Sequence, residues 1–118
     1  MVAFDEAAKR LYVVCRNPGM VVVMDSDTGA VISTAPAPLH ADEVMMDVAT
    51  HRLYVPGGQG YMGVYDTSNP NSLKEIAKVT TAPGAKTGIL LPDLKLVMLA
   101  ASPGETKNVA KILTYKLQ

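Results

Sequence analysis

Two stretches decide the fold: KRLYVVCR at residues 9–16 and HRLYVPGG at residues 51–58. A basic residue, Leu, Tyr and Val recur in the same order, and a phrase used twice points to architecture before it points to chemistry. Aligned on Arg10 and Arg52 the copies lie 42 residues apart, and a third, LKLVMLAA, follows with Lys95 another 43 residues on. Asp5 and Asp47 each precede their Arg by five residues, and Asp25 and Asp66 each close the next apolar run. A period of roughly 40 to 50 residues is that of a supersecondary unit that buries its faces by stacking on its neighbours.

Within each copy the apolar runs are short, rich in Val, Leu, Ile and Tyr, and broken by Gly, Pro, Asn and Asp, which is the pattern of strands joined by tight turns. The first copy predicts strands at 2–4, 11–14, 20–25 and 30–35, and the second at 44–47, 53–55, 62–66 and 73–80. The third predicts 87–91, 95–100 and 109–116, stopping one strand short. In DSDTGAV the carboxylates of Asp25 and Asp27 are expected on backbone amides, with Gly29 at positive φ before the next strand. Gly57 and Gly58 read as the release from a strand into a loop.

The Asp, the basic residue with Leu-Tyr-Val, and the Asp-Thr-Gly turn together resemble the YVTN-type repeats of β-propellers, including YncE-like bacterial proteins. The segment TAPGAKTG (81–88) is similar to that group as well. Pro56 and Gly57 depart from the pattern where Thr and Asn would stand, as does Val97 in the place of Tyr. The resemblance implies an all-β fold of about three four-stranded antiparallel β-propeller blades: residues 1–42, 43–85 and an incomplete 86–118 in a single partial domain. Such a piece leaves apolar faces open. It is expected either to belong to a longer chain or to pair as a homodimer that completes a six-bladed ring. A periplasmic or secreted location follows only if the family pattern holds.

Composition narrows the function classes. Eleven Lys and Arg balance eleven Asp and Glu, so the basic footprint that a nucleic-acid binder needs is absent. With no Trp and one Phe, base stacking is poorly provided for too. The longest strongly apolar run, MVVVM at 20–24, is far shorter than the roughly 20 residues of a membrane-spanning helix. The N-terminus has no basic region followed by an apolar stretch, so no signal peptide is expected. A lone Cys15 can form no internal disulfide and reads as a small core residue.

Loops on one face of such a stack are the default ligand site. That face collects CRNPG (15–19), PAPLHADE (36–43), GGQG (57–60), TAPGAK (81–86) and SPGETKN (102–108). The candidate rim residues are Arg16, His40, Asp42, Glu43, Gln59, Lys86 and Thr87. His40, Asp42 and Glu43 put an imidazole beside two carboxylates, but neighbours alternate across a strand and do not converge on one ion, so no metal is assigned. His51 belongs to the opposite face and reads as a solvated turn residue. Neither a nucleophile elbow, a phosphate loop nor a haem-attachment motif is present, and no cofactor is assigned. The expectation is a non-catalytic scaffold for a small polar ligand or a protein partner. The alternative is a piece of a propeller enzyme, a lactonase or a quinone- or haem-dependent dehydrogenase, with decisive residues elsewhere.

Overall fold

The computed structural model describes residues 1–103 and 109–117. Those residues form three antiparallel sheets. Sheet 1 contains β1 (Val2–Asp5), β2 (Arg10–Arg16), β3 (Gly19–Asp25) and β4 (Val31–Pro36), paired in chain order. Sheet 2 repeats this with β5 (Met45–Asp47), β6 (Arg52–Gly57), β7 (Tyr61–Asp66) and β8 (Lys74–Thr80). Sheet 3 has β9 (Ala85–Leu91), β10 (Leu96–Ala101) and β11 (Lys111–Lys116), with a 3-10 turn at Pro92–Leu94 between the first two. The fold is all-β; no sheet among the described residues closes on itself. No helix there is long and apolar enough to cross a membrane.

Burial along the strands gives the stacking order. In β2 every second residue is buried, Tyr12 and Val14 on one side, while Leu11 and Val13 stay half-exposed. In β6 everything from Leu53 to Gly57 is buried. A strand covered on one face alternates and a strand covered on both does not, so sheet 2 is the middle layer. Its alternation survives in the partition of its side chains. Leu53, Val55 and Tyr65 join Tyr12, Val14, Val21 and Val23 in a first core. Tyr54, Met62 and Val64 join Val97, Leu99 and Ala101 in a second. Even the adjacent Met45 and Met46 divide this way, Met45 toward sheet 3 and Met46 toward sheet 1. For the fully buried Leu53 and Val55, removal from water is worth about 1.5–3 kcal/mol each.

Backbone hydrogen bonds fix the repeat and correct the third register. Lys9, His51 and Lys95 have φ of 54°, 54° and 53°. Each donates its N–H to the carbonyl three residues back, Glu6, Val48 and Pro92. Their own carbonyls accept from Ser26, Thr67 and Leu117, one residue beyond the third strand in each copy. Lys95 therefore corresponds to Lys9 and His51, not to Arg10 and Arg52. Leu96 takes the place of the arginines, and Met98, rather than Val97, that of Tyr12 and Tyr54. The one-residue slip matters because it exchanges the two faces of the strand.

The same junction joins the sheets twice. The Tyr65 hydroxyl donates to the Pro36 carbonyl, the last residue of β4, at 2.6 Å, and the Tyr115 hydroxyl donates to Thr80, the last of β8, at 3.1 Å. Tyr65 and Tyr115 are equivalent by register, each preceding the residue paired with the start of the second strand. Tyr65 is fully buried, and that burial pushes its hydroxyl pKa well above the ordinary phenol value.

Several local expectations change. Asp25 Oδ1 alone accepts from the amides of Asp27 and Thr28, whereas Asp27 pairs with Lys9 Nζ at 3.0 Å. Gly29 does take positive φ, 74°. Gly57 is the last residue of β6, so the strand runs one step into the stretch read as a loop. Cys15 lies inside β2 and is half-buried, on the side opposite Tyr12 and Val14, so it is not a core residue of the stack.

Candidate functional site

At one end of the strands the loops of all three sheets are bonded together. Arg16 ends β2, and its carbonyl accepts from the His40 N–H at 3.4 Å. The His40 carbonyl accepts from Gly58 at 3.1 Å, and the Gly58 carbonyl from Gly84 at 2.9 Å. This relay of main-chain bonds runs from sheet 1 through both inter-sheet connections. It holds His40 in the left-handed region, φ 58°, which His tolerates better than most residues. Gln59 fastens the same loops: its Oε1 accepts from the Leu39 N–H at 3.0 Å, and its own N–H donates to the Leu39 carbonyl.

Asp42 is the charged hub of this end. Its Oδ1 meets Arg16 Nε at 3.1 Å and its Oδ2 meets Lys86 Nζ at 3.0 Å. One carboxylate thus spans from the second strand of sheet 1 to the first strand of sheet 3. Arg16 and Lys86 keep 52% and 41% of their side chains exposed, so both cations retain donors that can reach a ligand. Water screens pairs this open, and they contribute modestly to stability. What they provide is position: one carboxylate gathers two cations beside loops that main-chain hydrogen bonds tie together.

Of the seven rim candidates, the structure joins Arg16, Asp42 and Lys86 directly and places His40 and Gln59 in the loops around them. Glu43 turns to its own backbone instead, Oε1 accepting from the Val44 N–H at 3.3 Å. Thr87 is exposed on β9, on the side opposite the buried Ala85 and Val97 and the half-buried Leu90. Lys86 and Thr87 also line a shallow cleft of about 520 Å³ with Ala100, Ser102 and Lys111. Of the expected rim loop at 102–108, only Ser102 and Pro103 lie within the described residues. Among the described residues no three His, Cys, Asp or Glu side chains come together.

His51 sits at the other end of β6, exposed and bonded through its backbone to Val48 and Thr67. Composition gave no hint of the two crevices on that side. They occupy equivalent places, one of about 270 Å³ lined by Asp5, His51 and Thr67, the other of about 290 Å³ lined by Asp47, Asp93 and Lys95. Asp5 and Asp47 are buried at their floors. Burial first, then the adjacent carboxylate, raises the hydroxyl pKa of Tyr12 and of Tyr54. The readable signal was the Asp recurring five residues before each Arg. No family model and no curated protein matches the chain.

Proposed function

We propose that the three sheets are successive blades of a β-propeller of the YVTN-like kind, and that the protein is a non-catalytic scaffold whose rim at Arg16, Asp42 and Lys86 holds a small polar ligand or a loop of a protein partner. The observation that carries the reading is the rim itself. A carboxylate shared by two half-exposed cations, on loops locked by a relay of main-chain bonds, is a preorganised polar surface. The recurring αL turn and the twice-used tyrosine bond support equivalence of the sheets. The enzyme alternative, a lactonase or a dehydrogenase piece, has no specific observation in its favour.

The test is a thermal-shift panel of dicarboxylates, sugars and sugar lactones, with lactone hydrolysis followed in parallel. The scaffold reading expects stabilisation by a member of the panel that is lost in Lys86→Ala and Asp42→Asn and kept in His51→Ala, without turnover. Stabilisation indifferent to Lys86 and Asp42 would reject the rim. Hydrolysis would reject the non-catalytic assignment.

A further inference from the structure

The stack has two ends, and both are apolar. On the outer side of sheet 1 lie Phe4, Leu11, Val13, Val22, Met24 and Val31, with Phe4 52% and Val31 61% exposed. On the outer side of sheet 3 lie Ile89, Leu91, Leu96, Met98 and Ile112, with Ile89 54% and Ile112 60% exposed. Both faces have counterparts that are covered inside the chain. Leu11 and Val13 stand where sheet 2 has Leu53 and Val55, fully buried against sheet 1. Met98 stands where Tyr12 and Tyr54 are buried beneath the following sheet.

We infer that a second copy of this chain docks head to tail, the outer face of its sheet 1 against the outer face of sheet 3, forming a third time the junction that occurs twice within one chain. The inference rests on the reading of the sheets as equivalent blades and is independent of what the rim binds. Two copies joined at both ends supply six sheets, within the four to eight that close a propeller.

Three departures from the repeat favour a second copy over an unrelated partner, because each departure on one face suits a departure on the other. At the internal junctions a tyrosine reaches the last carbonyl of the preceding sheet's fourth strand. Among the described residues sheet 3 has three strands, and the residue arriving opposite would be Met24, which has no hydroxyl to satisfy.

The second and third concern one corner. Arg10 bonds Asp25 in its own sheet and reaches across to Pro70 O at 2.9 Å and Asn71 Oδ1 at 2.8 Å in the β7–β8 turn of sheet 2. In sheet 3 the arginine is Leu96 and the aspartate is Lys116. The arriving turn, β3–β4 of the second copy, is shorter than β7–β8 and carries Asp27, 63% exposed. Leu96 asks for no acceptor there, and Lys116 would join Lys9, which already pairs with Asp27 at 3.0 Å, as a second cation on that carboxylate, where an aspartate would repel it.

Sedimentation equilibrium over a dilution series tests this with the intact chain, Val13→Asp, Met98→Asp and an equimolar mixture of the two variants. The inference expects twice the 12.5 kDa chain mass for the wild type and the single-chain mass for each variant alone. It expects recovery of the double mass in the mixture, since the good face of one variant meets the good face of the other. A wild-type mass other than the dimer's, or a variant that dimerises alone, overturns it. Circular dichroism checks that each variant folds, and Phe4→Glu replaces Val13→Asp if that chain does not. Val55→Asp separates the two claims. The blade reading expects it to unfold the chain while Val13→Asp does not; equal tolerance of both would reject blade equivalence, whatever the mass.

Discussion

Gly63→Ala probes the sheet 1 to sheet 2 junction from within a single strand. Gly63 and Tyr65 lie two apart on β7 and so on one face, and the Tyr65 ring folds back over the glycine. A Cβ at position 63 would lie 2.6 Å from the Tyr65 hydroxyl oxygen and 2.8 Å from Cε2. The ring cannot swing away freely, since it is fully buried and its hydroxyl is bonded to Pro36 O at 2.6 Å. Relief requires giving up that bond, about 1 kcal/mol net, and repacking the core, about 1–3 kcal/mol for an added methyl. We expect a loss of about 2–4 kcal/mol, measured by urea unfolding at fixed protein concentration. Tyr65→Phe alone isolates the hydrogen bond and should cost about 1 kcal/mol. In a Tyr65→Ala background the obstruction is gone, and the added cost of Gly63→Ala should fall below about 1 kcal/mol as the two changes couple. If Gly63→Ala costs less than about 0.5 kcal/mol with Tyr65 present, the ring does not occupy this place and the junction is wrong.

Three further outcomes follow from particular contacts. Arg10→Ala should cost about 2 kcal/mol because it removes charged hydrogen bonds that tie sheet 1 to sheet 2. Arg52→Ala, whose 3.6 Å pair with Asp66 stays within one sheet and is a third exposed, should cost under about 1 kcal/mol in the same denaturation assay. Asp25 is held below the usual carboxylate value first by the Thr28 N–H and then by that of Asp27, and Asp66 first by the Ser68 hydroxyl and then by its N–H. Both therefore stabilise the fold above about pH 4, the unfolded carboxylate range, and the gain is lost as pH falls through their depressed native values. Stability measured from neutral to acid pH should fall less steeply in the Asp25→Asn, Asp66→Asn double variant. His51, exposed at φ 54°, should accept Gly with a change below about 1 kcal/mol, while His51→Val should cost more than about 1 kcal/mol in thermal unfolding.

Strands were legible in the sequence because apolar residues alternate and turn residues punctuate them. The third register was not, because its marks are gone: Leu91, Leu96 and Lys116 stand where the first two copies have Asp, Arg and Asp. What remains common is a backbone property, the left-handed residue before the second strand, which Lys, His and Lys share without sharing chemistry. The Pro92–Leu94 turn had a signal in its leading proline, a residue favoured where a helical turn begins. For the rim, the loops could be assigned to one face, yet the sharing of Asp42 by Arg16 and Lys86 joins sheet 1, the first inter-sheet connection and sheet 3, and has no local signature. Cys15 was misread because alternation says which residues share a face, and not which face will be covered.

Nuclear Overhauser spectroscopy of the five tyrosines tests the central claim, that one junction is used twice to stack three sheets. The account predicts cross-peaks between the Tyr65 ring and Pro36 and between the Tyr115 ring and Thr80, pairs whose polar atoms lie 2.6 and 3.1 Å apart. Assigned spectra in which the three sheets are formed but both tyrosines show contacts only within their own sheet would contradict it.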